Sequence, residues 1–347
     1  MPRMKRRDLL RAGAVYAWSG RSLLALAAGL RAPLAIASDS RTRPSSDTAL
    51  ADWDARSKAG GVVQAIRFQS AENVSAYTHP DQQADHVKFD PADGISGDGC
   101  LRIDVPAGDG AKSGTWRAPL NASWRSDRQG FGAGTPFYIQ YRVKLGKNRL
   151  KPSHEGGGFK ICNIAEYIPS SPGSSRSHSD NEIVIGNAYW RGSLLAYREH
   201  PITGTTSFET GDPTGRIHLQ TALGNCLYQG GNASAGCWMF HEEEWFTVYY
   251  RICIAHYGPA TKGAPQVDPL AAGNEIDIYV ARAGESSYTH LYNNRSFAIG
   301  TDEALPLGLN GIWFLPYDTN RSSASYDTYH KYDQLIVSTE PILCPRV

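Results

Sequence analysis

The chain has almost no net charge and no sustained helical periodicity. Both features limit the classes of protein and of fold to which it can belong. Its 347 residues carry 35 Lys and Arg against 34 Asp and Glu, which gives a formal net charge of +1. This balance supplies no overall electrostatic reason to bind nucleic acid or an anionic membrane surface. Beyond the N-terminal region, no segment repeats apolar residues at a spacing of 3.6, so we expect few and short helices. No internal repeat is present.

The N-terminal region lacks an uninterrupted apolar run, because Arg21 breaks it, and this argues against a stable membrane span of about 20 residues. Arg6-Arg7 precedes an Ala/Leu/Gly-rich stretch that ends in Ala35-Ile36-Ala37. This order is typical of an export signal cleaved near Ala37, and the paired arginines resemble a bacterial twin-arginine signal. We therefore predict that residues 1–37 direct export to the periplasm or the cell exterior. A retained amphipathic anchor is the alternative.

The six cysteines include no C-x-x-C spacing, which disfavours a zinc knuckle or a redox motif. An exported protein can form disulfides, and Cys226 and Cys237 flank a short polar loop that a bond between them would close. Cys100 and Cys344 could form a bridge between the two ends of a sandwich. Cys162 and Cys253 alternate within strand patterns, and we predict that they are buried thiols.

The sequence does contain many short runs of β-branched and aromatic residues, separated by Gly, Pro, Asn and Asp. In Phe137–Leu145 the odd-numbered residues are apolar and most even-numbered ones are polar, so one strand face packs a core. The other runs are Val62–Phe68, Cys100–Val105, Gly114–Ala118, Gly158–Ile164, Asn181–Asn187, Ser193–Arg198, Arg216–Ala222, Trp245–Ala255, Asn274–Arg282, Gly311–Pro316 and Tyr332–Ser338. We predict one all-β sandwich domain over residues 61–347, preceded by a flexible leader over residues 38–60.

The order of these motifs carries a family resemblance. GGGFKICNI, NEIVIGNAYWRG, a cysteine-bounded loop, CWMFHEEEWFTVYYRICI, NEIDIYVARAGE, WFLPYDTNR and YDQLIVSTEPI follow one another. Together they resemble secreted bacterial and phage proteins of the concanavalin-A-like lectin/glucanase superfamily. The resemblance implies a jelly-roll β-sandwich of two antiparallel sheets, one with a concave face that forms a glycan groove. That superfamily contains glycoside hydrolases, polysaccharide lyases and lectins, so it does not choose an activity.

Paired carboxylates, which a glycoside hydrolase needs, are scarce in these runs. The E-I-D-I run at residues 275–278 resembles the family-16 hydrolase motif, in which alternate acids project into one groove. Here Tyr279 and Ala281 follow in place of a third acid, and we assign the run to an outer sheet. Glu182 is a better candidate because it shares a strand face with Gly186, where a sugar could approach the backbone. We identify no partner acid for it.

Cations, amides and phenols are better represented, and they suit β-elimination on a uronate. That reaction needs a group that neutralises the carboxylate, a base for the C5 proton and an acid for the leaving oxygen. Jelly-roll alginate lyases use Arg, Gln, His and Tyr in these roles, although their motifs R-[ST]-E-L, Q-[IV]-H and Y-F-K-A-G are absent from this chain.

We assign roles to two sets of residues. The catalytic candidates are Lys160, Glu182, Arg191, His218 and Tyr317. In this scheme Lys160 and Arg191 hold the carboxylate, His218 or Tyr317 serves as base and acid, and Glu182 orients Lys160. The predicted substrate-binding residues are Arg142, Asn187, Tyr189, Tyr197 and Gln220.

The chemistry predicted here requires no cofactor. Asp333 is a candidate ligand for a structural Ca²⁺ that backbone carbonyls would also bind, because Ca²⁺ prefers oxygen ligands. We expect an exported monomer that acts on a uronate-containing polysaccharide. The alternatives are a non-catalytic glycan-binding or adhesion module and a glycoside hydrolase of the same fold.

Overall fold

The computed structural model describes residues 45–78, 83–108, 113–124, 129–150, 159–165, 182–188, 193–199, 206–207, 217–229, 232–233, 236–255, 258–259, 274–295, 300–301, 309–316 and 327–347. For 182–188, 193–199, 206–207, 217–219, 227–229, 232–233, 258–259 and 300–301 it describes the backbone. All of these residues belong to one compact unit, Thr42–Val347.

Short strands are the most frequent regular structure in the described chain. The helices are α1 (Ser46–Ser57), α2 (Ala71–Ser75) and a 3₁₀ turn (Ala84–His86). The strands of the first half are β1 (Val62–Ile66), β2 (Val87–Asp90), β3 (Cys100–Val105), β4 (Trp116–Pro119), β5 (Phe137–Leu145), β6 (Phe159–Ala165), β7 (Glu182–Ala188), β8 (Ser193–Glu199) and β9 (Thr206–Ser207). Those of the second half are β10 (Ile217–Gln220), β11 (Cys226–Gln229), β12 (Asn232–Ala233), β13 (Trp245–Cys253), β14 (Gly258–Pro259), β15 (Glu275–Arg282), β16 (Thr289–Asn294), β17 (Gly300–Thr301), β18 (Gly311–Phe314) and β19 (Thr328–Ser338).

Two large antiparallel sheets organise these strands. The eight-stranded sheet has the order β16-β15-β13-β5-β19-β3-β2, and β1 also pairs with β19. The six-stranded sheet has the order β4-β18-β6-β7-β8-β9. Strands β10-β11-β12 form a small separate sheet, and β14 and β17 form a parallel pair. This architecture confirms the predicted all-β sandwich of two antiparallel sheets.

The core lies between the two large sheets. The apolar face predicted for β5 points into it, and Phe137, Ile139, Tyr141, Val143 and Leu145 are all wholly buried. Rings from the two sheets meet there: Phe314 of β18 stacks on Tyr332 of β19 with ring centroids 4.1 Å apart. Because the inward faces are used in this way, any binding surface on a large sheet must lie on its outward face.

Helix α1 corrects the predicted flexible leader. Ser45 caps it, its Oγ accepting from the amide of Thr48, and Trp53 and Arg56 are buried. Arg56 donates to the side chains of Gln140 on β5 and Gln334 on β19. Residues 46–57 are therefore an ordered part of the sandwich, held by contacts with strands far away in sequence.

The cysteine predictions have mixed outcomes. The disulfide between Cys226 and Cys237 is present, which confirms that prediction. Cys100 and Cys344 are both free thiols, so the suggested bridge between them is wrong. Cys162 is a buried thiol as predicted, whereas Cys253 is only partly buried. Within the described residues, no helix has the length and apolar character needed to cross a membrane.

Candidate functional site

The outward face of the six-stranded sheet carries the predicted lysine. Strand β6 contains a bulge between Lys160 and Cys162, which lets Ile161 and Cys162 both pack in the core. Lys160 and Asn163 consequently lie on the opposite, outward face. Lys160 is half-buried and Asn163 is wholly buried.

Strand β7 places a glycine beside this lysine. Lys160 pairs in register with Gly186, and Gly186 pairs with Leu195 on β8. Residues that are directly opposite in an antiparallel pair share a sheet face. Gly186 adds no side chain to the sheet face beside Lys160, and a glycine inside a strand often marks a place where another group approaches the backbone closely.

Further along, the outward face becomes aromatic. Arg117 of β4 lies over the indole of Trp313 on β18, with its Cζ 3.9 Å from the ring centroid. Both side chains are at least nine-tenths buried. One register row therefore crosses this sheet through Arg117, Trp313, Asn163, Val184, Tyr197 and Ser207. This row includes Tyr197, which was predicted to bind substrate, and puts it on the same face as Lys160.

Two glutamates are register partners at the other end of β7. Glu182 pairs in register with Glu199 on β8, and both belong to the outward face. The Cβ atoms of directly opposite residues are about 4.5–5.5 Å apart, and like charges so placed destabilise a sheet. Sequence reasoning missed Glu199, although its alternation with Tyr197 in S-L-L-A-Y-R-E was a usable signal.

The predicted orientation of Lys160 by Glu182 is not supported by this register. Lys160 lies opposite Gly186, and Glu182 lies four positions from Gly186 along β7. That offset corresponds to about 13 Å along the strand. The neighbour that the register gives Glu182 is Glu199, not Lys160.

A buried hydrogen-bond chain supports the bulged part of β6 from the core side. Arg149 Nε donates to His330 Nε2 at 2.7 Å, so the ring proton of a neutral His330 resides on Nδ1, which lies 3.1 Å from the hydroxyl of Tyr332. Tyr332 then donates to the carbonyl of Ile161 at 2.7 Å. Arg149 also donates to the carbonyl of Pro316 at 3.2 Å. These hydrogen bonds thus hold the backbone at Ile161, next to Lys160, and at Pro316, next to Tyr317.

The remaining predicted catalytic residues fall elsewhere. His218 lies on β10 opposite Leu227, in the small three-stranded sheet, and β10 runs beside β8. Arg191, Tyr189 and Tyr317 lie outside the described residues. Of the predicted catalytic set, the six-stranded sheet therefore brings together Lys160 and Glu182 on one face, with His218 on a neighbouring sheet.

Three predicted substrate-binding residues have positions that argue against that role. Asn187 pairs with Phe159, a core residue, so it belongs to the face opposite Lys160. Gln220 is wholly buried, and its amide both donates to and accepts from the backbone of Trp238 at 2.8 and 2.7 Å. Arg142 is 1% exposed on the other sheet. For Gln220 and Arg142, alternation identified polar positions but could not show that these positions would be covered.

The environment of Asp333 does not fit the predicted Ca²⁺. Its two carboxylate oxygens accept from the backbone amides of Ile95 and Gln334 at 3.0 and 2.8 Å. Burial raises the pKa of this carboxyl to about 7. A calcium ligand needs an ionised carboxylate among other oxygen ligands, whereas here the neighbours are N–H donors and the guanidinium-bearing Arg142 lies opposite. Calcium binding stays a prediction without support from these contacts.

The acids of the E-I-D-I run are held by cations on the eight-stranded sheet. Arg251 Nη1 lies 2.5 Å from Glu275 and 3.3 Å from Asp277. Asp277 is 2% exposed and also contacts Arg295 at 2.6 Å and His290 at 3.1 Å. The run lies in the eight-stranded sheet, and ion pairing occupies both carboxylates.

No protein-family model and no curated protein matches the chain. Among solved structures, the PL-14 alginate lyase from Aplysia kurodai is 12% identical, with 80% of this chain and 99% of that chain covered at a TM-score of 0.50. The alginate lyase vAL-1 from Chlorella virus is 10% identical, with 80% and 99% covered and a TM-score of 0.41. A botulinum neurotoxin serotype C1 binding domain is 9% identical, with 74% and 42% covered and a TM-score of 0.37.

At these identities, similarity to the Aplysia enzyme establishes the fold alone. The two sheets, their antiparallel pairing and this similarity define a concanavalin-like jelly roll, as the sequence resemblance implied.

Proposed function

We propose that the protein is an exported polysaccharide lyase that cleaves a uronate-containing chain by β-elimination. The observation that carries this proposal is the position of Lys160, half-buried on the outward face of the six-stranded sheet and directly opposite Gly186. An ammonium beside a glycine suits the carboxylate of an acidic sugar, because a fixed cation stabilises the negative charge that develops when the C5 proton leaves.

In the proposed reaction, a base removes the C5 proton and its electron pair forms the C4–C5 double bond. The bond from C4 to the glycosidic oxygen breaks as that double bond forms, and an acid protonates the leaving oxygen. Lys160 and Arg191 would hold the carboxylate, and His218 or Tyr317 would act as base and acid. Tyr197 would contact the sugar chain from β8, on the same face as Lys160.

The fold similarity supports the same class of function at a coarse level. The matched structure of highest TM-score considered above belongs to an alginate lyase, and nearly all of that chain is covered. The Aplysia enzyme acts on alginate, and by analogy we propose an acidic polysaccharide as the substrate here.

A glycoside hydrolase is the second candidate, and one observation favours it. Glu182 and Glu199 are register partners on the outward face of the same sheet. A retaining glycosidase uses two carboxyl groups about 5–5.5 Å apart, as nucleophile and as acid/base. Repulsion between directly opposite carboxylates is costly, and residues that break a local rule in this way are often functional.

A polysaccharide panel separates these candidates. The purified protein is incubated with alginate, pectate, hyaluronan and neutral glucans, while absorbance of unsaturated uronate and new reducing ends are both followed. If the protein is a lyase, the absorbance of unsaturated uronate and the number of reducing ends should rise together on a uronate-containing chain. Reducing ends without absorbance would instead establish hydrolysis, and binding without either product would establish a glycan-binding module.

A further inference from the structure

Arg142 has an unusual position for a charged side chain. It lies in the middle of β5, on the outward face of the eight-stranded sheet, and is 1% exposed. Its register neighbours are Thr247 on β13 and Asp333 on β19. Among the described residues, Nε, Nη1 and Nη2 of Arg142 all lack a hydrogen-bond partner.

The neighbouring Arg56 shows what a satisfied buried guanidinium looks like in this protein. Arg56 Nε donates to Asp52 at 2.9 Å, and its two terminal nitrogens donate to Gln140 and Gln334. An unpaired buried donor costs about 1–3 kcal/mol, and a buried charge costs more. The same buried region therefore contains one arginine, Arg56, whose three nitrogens all donate hydrogen bonds. It also contains Arg142, whose three nitrogens donate none among the described residues.

The charges around Arg142 leave its own charge poorly balanced. Arg56 is paired with Asp52 at 2.8 Å. Burial lowers the pKa of Arg142 to about 10, so it stays charged at neutral pH, and burial raises the pKa of the Cys344 thiol to about 11, so that group is neutral. The carboxyl of Asp333 is the remaining counter-charge among these groups, and because burial raises its pKa to about 7 it is only partly ionised at neutral pH.

Other unpartnered groups near Arg142 are also hydrogen-bond donors. The hydroxyl of Thr247, directly opposite Arg142, and the indole N–H of Trp245, two residues along β13, are buried and without partners among the described residues. A water molecule at this position could donate one proton to the Thr247 hydroxyl, which also accepts, but it carries no charge to balance the guanidinium. An anion accepts from every donor and also supplies the missing charge.

We infer that this part of the eight-stranded sheet binds a small monovalent anion such as chloride, held by the guanidinium of Arg142 and the hydroxyl of Thr247. The inference replaces the cation predicted at Asp333 by an ion of the opposite sign. It is independent of the proposed function, because Arg142 lies on the other sheet from Lys160.

Thermal unfolding in different anions tests the site. The protein is dialysed into sodium gluconate, whose anion is too large for a buried site, and titrated with sodium chloride at constant ionic strength. A saturable rise in Tm of roughly 5 °C is expected at a chloride concentration about 100 times Kd. Crystals grown in bromide should show an anomalous peak beside the guanidinium of Arg142.

Two variants and a matched control sharpen the test. Arg142→Met and Thr247→Val should each abolish or weaken the chloride-dependent rise in Tm. Arg251→Met removes another arginine from the same sheet, one that Glu275 already pairs, and should leave the rise unchanged. Identical Tm values in chloride and gluconate, or wild-type crystals without a bromide peak beside Arg142, would overturn the inference in favour of an ordered water, even if Arg142→Met failed to fold.

Discussion

The outward faces of the two large sheets differ in what covers them. On the eight-stranded sheet, α1 and the segment 342–347 lie across the polar residues of β5, where Gln140 donates to the carbonyl of Leu343 and Arg56 donates to Gln140. On the six-stranded sheet, Lys160 stays half-buried opposite a glycine. Both faces read as polar in the sequence. A polar strand face is therefore not by itself a binding groove.

The largest expected effect concerns the covered face. Arg56→Met should lower the free energy of unfolding by about 3–5 kcal/mol, because it removes the buried partner of Asp52, Gln140 and Gln334. Urea denaturation measures this change. Lys58→Met is the matched control on the same helix, since its ion pair with Asp54 is mostly exposed, and it should change stability by less than about 0.5 kcal/mol. Equal effects of the two substitutions would show that α1 does not hold the covered face.

The covered face also predicts a pH dependence. Burial raises the pKa of Asp333 from 3.8 to about 7, so the folded protein retains this proton at pH values where the unfolded chain has lost it. Stability from this group is therefore complete below about pH 4 and declines as pH rises towards 7, by about 4 kcal/mol at most. Chemical denaturation across this range should show a smaller decline for Asp333→Asn than for the wild type. Parallel curves would contradict the shifted pKa.

On the outward face of the six-stranded sheet, Lys160→Ala should lower turnover of the polysaccharide by about 100-fold or more, which corresponds to about 2.7 kcal/mol of transition-state stabilisation. Its far-UV circular dichroism should match the wild type. Lys88→Ala, which removes an exposed lysine paired with Asp104, serves as the control and should keep full activity. Full activity of Lys160→Ala on every cleaved substrate would remove the central support for the lyase proposal.

The smallest expected effect also concerns the outward face of the six-stranded sheet. Glu199→Gln should raise the free energy of unfolding by about 0.2–1 kcal/mol, because it relieves repulsion with Glu182 directly across the β7–β8 pair. Urea midpoints measure this gain, with Glu340→Gln as an exposed control. A loss of stability would show that the two carboxyl groups share a proton or bind a cation. A loss of cleavage activity in Glu199→Gln would favour the hydrolase.

Alternation in the sequence predicted the sheet faces well, because the side-chain period of a strand is fixed by backbone geometry. The strands Cys100–Val105 and Phe137–Leu145 have the predicted bounds. Alternation failed at the bulge of β6, where Ile161 and Cys162 both face inward. A bulge depends on the neighbouring strand, and one strand's pattern does not reveal it.

The candidate site was harder to predict than the fold because its members come from different strands. Register, which the sequence does not specify directly, decides that Lys160 meets Gly186 and that Glu182 meets Glu199. Helix α1 was missed for a related reason. Its stabilising contacts lie on β5 and β19, although Ser45 and Asp47 were available as a cap and a first-turn acid.

Residues from opposite ends of the described chain cover the eight-stranded sheet, and this has a consequence for synthesis of the protein. Arg56 bonds Gln334, 278 residues later, and the carboxylate of Asp52 accepts from the amide of Arg346, 294 residues later. A ribosome adds about 5–20 residues each second, so α1 waits many seconds for the residues that receive it. Contacts of such long sequence separation also form slowly once the chain is available. During that interval the nascent chain exposes Trp53 and the strand edges of an unfinished sheet, the period in which a chaperone would be most useful to it.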